Sequence, residues 1–413
     1  MKKMLYLLIF LSILPTVFAY SISQQWATTR YTGVANAEAK GVAYDSSRNV
    51  LAAGRYNTTA TNYDMIVLKY GTTGSETWNW AYSSPGSLGD TGEDVTVDSS
   101  NNVIAVGIPT SNGFMVKLNS GGTHICNATP AISLYGVDTD SSDNITTAGY
   151  RISGADYLPT IIKYNTTCGH LWNVTFPIVN PGDQDFFHDV AVDTADNVIA
   201  VGFTNTVELL TAKYSSTGTH IWNRTVVPFG VNDYIWGFGV DTDTSNNVIA
   251  VGIYNYSAFI PSAYTAIYMI KYDSNGNHLW NKTINASTYL TSTVDWAGAY
   301  DVSVDSADNI LVGGYAYVGA NTYPSRWFLI FNSAGTLQWN TTIGTVNTTS
   351  YDVEWYNTTT FASTGVEKSW ITEEYGEGAP YIGPVPEFSL TTLLLATILA
   401  GGLILFVVRR KYK

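Results

Sequence analysis

Residues 193–202 read Asp193-Thr194-Ala195-Asp196-Asn197-Val198-Ile199-Ala200-Val201-Gly202. The same frame, Asp-x-x-x-Asn followed by an apolar run ending in Gly, returns at Asp45/Asn49/Gly54, Asp98/Asn102/Gly107, Asp140/Asn144/Gly149, Asp243/Asn247/Gly252 and Asp305/Asn309/Gly314. Self-similarity with a period of about fifty residues predicts four-stranded units arranged as the blades of an all-β propeller.

Each unit divides into two hairpins. Strand A, as in Asp189–Asp193, turns through the Asp-x-x-x-Asn segment into strand B, Val198–Gly202. Asp and Asn suit that turn because their side chains accept local backbone hydrogen bonds and Asn tolerates left-handed geometry. Strand C, as in Met269–Tyr272, passes through Asp273-Ser274-Asn275-Gly276 into strand D, His278-Leu279-Trp280-Asn281. The strand-D position is Trp78, Cys126, Trp172, Trp222, Trp280 and Trp339 in the six units. These tryptophans are expected to be buried between neighbouring sheets.

A further strand-D segment, Gln25-Trp26-Ala27-Thr28-Thr29, precedes the first strand A. After the sixth unit, Asp352–Trp355, the run to Gly365 and Ser369–Thr372 supply strands A, B and C with no D. Seven blades closed by the N-terminal strand account for both ends; six blades are the alternative.

The run Gly89-Asp90-Thr91-Gly92-Glu93-Asp94-Val95-Thr96-Val97-Asp98 with Asn102–Gly107 resembles the SBBP-type β-propeller repeat of secreted and surface proteins, over roughly residues 22–375. The strand-C/strand-D half is also similar to quinoprotein-like repeats. That family places two adjacent cysteines over its quinone, whereas Cys126 and Cys168 stand 42 positions apart. Propellers host many functions, so the resemblance bears on fold more than on activity.

The two chain ends predict location. Lys2 and Lys3 followed by an apolar run to Phe18 and Ala19 read as a secretory signal over 1–19, giving an ectodomain over 20–375. Leu390–Val408 carries no charge and is long enough for one membrane span, and the basic tail 409–413 places the C-terminus in the cytoplasm. Between them, the linker 376–389 holds Val385-Pro386-Glu387-Phe388-Ser389. The order of motif, helix and basic cluster resembles the C-terminal sorting tails of archaeal surface proteins, which implies recognition by a membrane protease-transferase. A plain single-span anchor is the alternative.

The chain has 20 basic and 33 acidic residues, but Lys2, Lys3, Arg409, Arg410, Lys411 and Lys413 sit in the terminal segments. That leaves 14 basic residues against the 33 acidic ones, a balance that disfavours nucleic-acid partners. Cys126 replaces the Trp of its unit and Cys168 the turn Gly of the next. Because these positions are not equivalent, two free thiols are the preferred reading and a bridge the alternative.

Little in the sequence points to catalysis. His124, His170, His220 and His278 recur two residues before the strand-D position, as a structural feature would. His188, in the segment ahead of strand A and near Asp185, offers one acid/base or metal-binding group, but a single His beside one Asp defines no site. No Gly-rich phosphate loop, His-Glu-x-x-His, Cys-x-x-Cys or Gly-x-Ser-x-Gly is present. A glycosidase or lyase using scattered carboxylates would leave no local motif and is the alternative to a non-catalytic module. No cofactor is expected. Asp138, Asp140, Asp241 and Asp243 gather oxygen ligands as a calcium loop does, but lack the Gly and terminal Glu of an EF-hand, so metal-free turns are preferred.

Sequons occur at Asn57, Asn127, Asn144, Asn165, Asn173, Asn223, Asn255, Asn281, Asn285, Asn340, Asn347 and Asn357. Five of them, Asn127, Asn173, Asn223, Asn281 and Asn340, directly follow the strand-D position, where an outermost strand would project a glycan.

Spacing also predicts a functional face. The A–B and C–D turns keep constant length, whereas Gly to the strand-C Lys runs from 10 residues (Gly107 to Lys117) to 19 (Gly252 to Lys271). In an antiparallel blade the B–C and D–A connections emerge together, so variation concentrates on one face. Tyr82, Phe187, Tyr234, Trp236, Tyr256, Phe259, Tyr289, Trp296 and Tyr323 are the aromatic contact residues expected there, with Asp90, Asp185, Asp233 and Asp295 before strand A. The expectation is a glycosylated module on the outer membrane face, single-pass, serving recognition, adhesion or envelope structure, with a glycan or surface protein as partner.

Overall fold

The computed structural model describes residues 22–377 less short stretches at 31–36, 60–61, 86–88, 110–111, 178–181, 183, 206, 228–229, 231–232, 257–263, 291–295, 319–323, 344–347 and 368–369. The expected signal, sorting motif, span and tail lie outside the described residues, among which no helix is long and apolar enough to cross a membrane.

Seven four-stranded antiparallel sheets form the blades of a β-propeller. Blades 1 to 6 span 38–82, 90–128, 133–175, 186–226, 234–284 and 297–343, each in the order A, B, C, D. Blade 7 takes its first three strands from Thr348–Asn357, Thr360–Glu367 and Trp370–Glu377, and its outer strand from Ile22–Arg30. Ile22 stands opposite Glu377 and Arg30 opposite Trp370, so the two ends of the ring share one sheet. Strand C of blade 7 runs two residues past the expected boundary at 375 because this pairing extends to Glu377.

In blades 1 to 6 the A–B turn is organised by its Asp. Oδ1 of Asp193 accepts the backbone N–H groups of Ala195 and Asn197, while the Asn197 amide donates to the same carboxylate. The residue before the Asn adopts positive φ, 61° at Asp196 and 60° at Asn246. That geometry aims its side chain at the preceding blade: Asp196 accepts from Ser141 N–H, and Asn246 from Thr194 N–H. The turn therefore links each blade to its neighbour as well as reversing the chain.

The strand-C lysines complete the turns. Lys69, Lys117, Lys163, Lys213 and Lys271 meet Asp45, Asp98, Asp140, Asp193 and Asp243 at 2.6–2.8 Å, all buried. Burial raises these carboxyls, but the Lys and Asn hydrogen bonds outweigh it and hold them below the usual range. Removing one partner would leave an uncompensated buried charge, at a cost of about 3–5 kcal/mol. Two of the four acids weighed as a calcium loop, Asp140 and Asp243, are thereby engaged by lysine.

Apolar side chains from facing blades fill the spaces between sheets. Ile199, Val201 and Leu209 of blade 4, for example, pack with Ile235, Val240, Val248 and Tyr268 of blade 5. The strand-D tryptophans lie further out than expected: Trp222 is buried, but Trp172, Trp280 and Trp339 are only half-buried. Each of three indoles covers the C–D turn Gly of the next blade, where an added Cβ would lie 3.0 Å from Trp172 at Gly218, 2.7 Å from Trp222 at Gly276 and 3.2 Å from Trp280 at Gly335. The same indole N–H groups of Trp172 and Trp222 donate to the carbonyls of Ser216 and Ser274 in those turns.

This packing corrects the cysteine reading. Cys126 and Cys168 form a disulfide, with Cα atoms 6.0 Å apart. Cys126 occupies the Trp position of blade 2 and Cys168 the Gly position of the turn it would cover in blade 3. Positions that differ within the repeat are the ones that meet between blades, so a covalent bond stands where other blade pairs have an indole on a glycine.

Candidate functional site

Every strand A contains a β-bulge, and the unpaired residue is always five positions before the turn Asp or its counterpart. The seven bulge residues are Lys40, Glu93, Tyr135, His188, Phe238, Tyr300 and Tyr351. A bulge re-aims a side chain out of the alternating pattern. Here the seven side chains converge on one cavity of about 450 Å³ around the propeller axis.

The repeated motif Gly makes the bulge possible. It stands opposite the residue before the bulge, and a Cβ there would fall 2.1 Å from the Thr91 carbonyl oxygen at Gly107, 1.8 Å from that of Ser133 at Gly149, and 1.9 Å from that of Phe186 at Gly202. No side chain fits that gap.

The cavity lies at the D–A and B–C end of the blades, opposite the Asp-x-x-x-Asn turns, because strand A begins there. Its wall has two parts. On blades 1 and 2, Lys40 pairs with Glu93 at 2.6 Å and Arg55 with Glu38 at 3.0 Å. On blades 3 to 7, Tyr135, His188, Phe238, Tyr300 and Tyr351 form an unbroken arc, with successive ring centroids 5.3, 4.6, 5.2 and 5.5 Å apart. Burial and the charge of Lys40 push His188 down to about 3, so its imidazole is neutral.

Carboxylates make the floor. The residue after each bulge is Gly41, Asp94, Gly136, Asp189, Gly239, Asp301 or Asp352. A Cβ at Gly41, Gly136 or Gly239 would lie 2.6–2.8 Å from the Cα of the next blade's Asp, so glycine lets neighbouring strands close up. Asp94 accepts the N–H groups of Val95 and, across the blade boundary, Val137; Asp189 does the same with Val190 and Val240. Asp301 reaches Val353 N–H and Asp352 reaches Val42 N–H.

Deeper along the axis, a space of about 180 Å³ is lined by Asp138, Asp241 and Glu354 among others. Asp138 accepts Val192 N–H and Asp241 accepts Val304 N–H, each across a blade boundary. The acids paired in sequence as Asp138/Asp140 and Asp241/Asp243 therefore face different partners and do not converge as a ligand set. Among the described residues no group of three or more His, Cys, Asp or Glu does.

The channel strips these carboxyls of water, and that burial raises them above the ordinary range: Asp94 to about 8, Asp241 to about 7, Asp138 to about 6, and Asp189, Asp352 and Glu354 well above it. Repulsion between Asp94, Asp189 and Asp301 adds to the rise, against the backbone hydrogen bonds.

Five of the aromatic residues expected at the contact face lie within strands. Phe187 is fully buried in the core, while Tyr82 stacks on Phe114 at 4.0 Å. Tyr234 stacks on Trp236 at 4.2 Å, and Trp236 on Phe203 at 5.3 Å, behind His188. Tyr256 packs beside Tyr254 and Tyr264. Tyr82, Phe187, Tyr234, Trp236 and Tyr256 lie within strands that are longer than the repeat suggested, not in loops. Tyr289 and Trp296 are exposed, and Trp296 helps line a second cavity of about 380 Å³ with Tyr300, Tyr315 and Tyr317. Phe259, Tyr323 and Asp295 lie outside the described residues. None of the seven described aromatics lines the axial cavity. Asp90, Asp185 and Asp233 are buried; Asp90 holds the loop at Ser84, and Asp233 the Tyr254 hydroxyl.

The recurrent histidines serve the sequons. His124, His170, His220 and His278 place a ring nitrogen 3.0–3.1 Å from the side-chain oxygen of Asn127, Asn173, Asn223 and Asn281. Asn144 uses its amide on Asp140, Asn57 is buried and Asn255 donates to the Tyr234 hydroxyl, so these three do not present a free amide as expected. Asn340 accepts from the Trp327 indole; Asn165 and Asn357 accept turn N–H groups; Asn285 precedes a short helix without a side-chain capping bond; Asn347 lies outside the described residues.

The ring is similar to solved propellers. A streptogramin B lyase superposes with a TM-score of 0.52 at 10% identity, over 84% of this chain and 97% of that one. A catalytically inactive virginiamycin B lyase from Staphylococcus aureus with quinupristin gives 0.54 at 10%, over 84% and 98%. A chain of a mitotic checkpoint complex gives 0.55 at 7%, over 91% and 98%. Such distant likeness defines the fold alone. No protein-family model and no curated protein sequence matches the chain.

Proposed function

We propose that this chain is a cell-surface recognition module that takes its ligand at the mouth of the axial cavity without transforming it. The carrying observation is the bulge ring: seven equivalent positions differ in chemistry, Lys, Glu, Tyr, His, Phe, Tyr and Tyr, on a scaffold whose turns and glycines repeat. Variation at converging positions of a repeated frame is how a scaffold acquires a binding site. The floor carboxyls are engaged in holding strands together, which suits a structural role.

The expected signal over 1–19, the expected span over 390–408 and the basic tail support a position outside the membrane, in keeping with the resemblance to SBBP-type surface repeats and archaeal sorting tails. Glycans on the His-paired asparagines Asn127, Asn173, Asn223 and Asn281 would decorate the outer rim and leave the cavity open. The partner is an extracellular glycan or surface protein. The test is binding of the protein to washed cells and to glycan and peptide arrays, with the bound material analysed for cleavage. Binding with intact ligand is expected; loss of ligand mass during incubation would overturn the non-catalytic reading.

One observation favours an alternative, a carbohydrate-active glycosidase or lyase. Asp94, Asp189, Asp301 and Asp352 from four blades line one cavity, as the carboxyls of such an enzyme line its cleft. Cleavage abolished by Asp352→Asn would establish it.

A further inference from the structure

We propose that the axial cavity receives an organic cation, an ammonium or guanidinium group, held by the Tyr135–Tyr351 aromatic arc above the Asp94, Asp189, Asp301 and Asp352 floor. The inference rests on the recognition reading and names the chemistry of its ligand.

The shape of the arc is the first argument. Successive rings are inclined to one another by 69°, 35°, 70° and 61°. They wall a curved space and offer no flat platform of the kind a sugar face stacks on. A compact cation can approach several ring faces at once, because each face carries negative quadrupole density.

Charge is the second. The two permanent cations of the wall are already paired, Lys40 with Glu93 and Arg55 with Glu38, on the side away from the arc. Burial keeps His188 uncharged within the arc. Beneath it, the carboxyls of Asp94, Asp189, Asp301 and Asp352 line the cavity and accept hydrogen bonds from backbone N–H groups. Burial away from water holds them toward the protonated form, and a cation entering the mouth would supply the opposite charge that favours their ionisation.

The same carboxylates argue against an inorganic ion. A calcium ion needs six to eight oxygens turned toward it. Asp94 and Asp189 each commit both oxygens to backbone N–H groups on two strands. They supply no coordination shell. The aromatic wall also gives nothing to a metal but much to an alkylammonium, which is weakly hydrated and gains from each ring it faces. The space of about 450 Å³ holds such a group with part of its substituent.

The test is titration calorimetry of the full chain in neutral maltoside detergent at pH 8 and fixed ionic strength. Tetramethylammonium and guanidinium are the probes, with tert-butanol as neutral isostere and calcium as competitor. Saturable binding of the organic cations, absent for tert-butanol and not displaced by calcium, is expected. Phe238→Leu with Tyr300→Leu keeps apolar bulk and removes two ring faces, so affinity should fall about tenfold. Tyr300→Phe, which keeps the face, should bind as the parent does, and melting of each variant reports its folding. Methylammonium against an acetylated lysine amide separates a free amine from a partner's side chain as the source; tighter binding of either supports the proposal. Failure of both cations to bind, or displacement by calcium, overturns it. If the arrays return a neutral glycan bound in the same cavity, the recognition reading survives and the cation assignment does not.

Discussion

Gly202 lies so close to the Phe186 carbonyl that a Cβ on it would sit 1.9 Å from that oxygen. The contact exists because His188, one residue beyond the Phe187–Gly202 pair, is bulged out of the ladder toward the axis. Gly202→Ala should therefore open the bulge, lower stability by about 1–3 kcal/mol and withdraw His188 from the cavity. Chemical denaturation measures the first effect, and loss of the His188 ring contacts by NMR the second. An unchanged midpoint would mean that the bulge does not need the glycine.

The disulfide stands in for an indole on a glycine, so the two solutions should be exchangeable. Cys126→Ser should cost about 2–4 kcal/mol under oxidising conditions. Joint replacement, Cys126→Trp with Cys168→Gly, should recover much of that loss by restoring the packing of the other blade boundaries. Equilibrium unfolding decides; a double variant no more stable than Cys126→Ser would show that this boundary cannot take the repeat arrangement.

Two families of carboxylates give stability opposite dependences on pH. The channel acids have folded pKa values raised above an unfolded value near ~4, so their contribution is present at acid pH and lost as pH climbs through about 6 to 8. The lysine-paired turn acids have depressed values, and their contribution is lost as pH falls below ~4. The melting temperature should rise as pH is lowered from 8.5 to about 5.5 and drop below ~4, as scanning calorimetry would record. A melting temperature that falls steadily from 8.5 downward would contradict the assignment.

Ring closure can be broken at one strand. Deleting residues 22–30 uncovers the edge of Trp370–Glu377, with which they pair over their whole length. Lower melting temperature and concentration-dependent association are expected, since an open strand edge recruits other chains. A deletion variant that remains monomeric with unchanged melting would refute closure by this strand.

The number of blades and the closing strand were legible in the sequence because both follow from counting a fixed spacing. The cavity was not, for a physical reason. Alternation places strand A at Asp189–Asp193 and leaves His188 in a connection, whereas the strand starts at Phe186 and a bulge interrupts its alternation. A signal was nevertheless present: the position five before the turn Asp varies in type from unit to unit, while the turn and the strand-B glycine recur. The aromatic positions of the connecting face were conspicuous by type, but Phe187 is in the core and Trp236 stands one ring behind His188. The disulfide escaped because repeat equivalence compares positions within blades, while contacts form between them.

In the proposed recognition module the bulge ring is the contact surface. Hydroxyl-radical footprinting of the protein, free and bound to washed cells, reads solvent access at single tyrosines and tests it most directly. Loss of reactivity at Tyr135, Tyr300 and Tyr351, with Leu171 and Leu279 on the outer strands unchanged, is predicted. Protection confined to those outer strands or to the Asp-x-x-x-Asn turns, with the three tyrosines as reactive as in the free protein, would contradict the account.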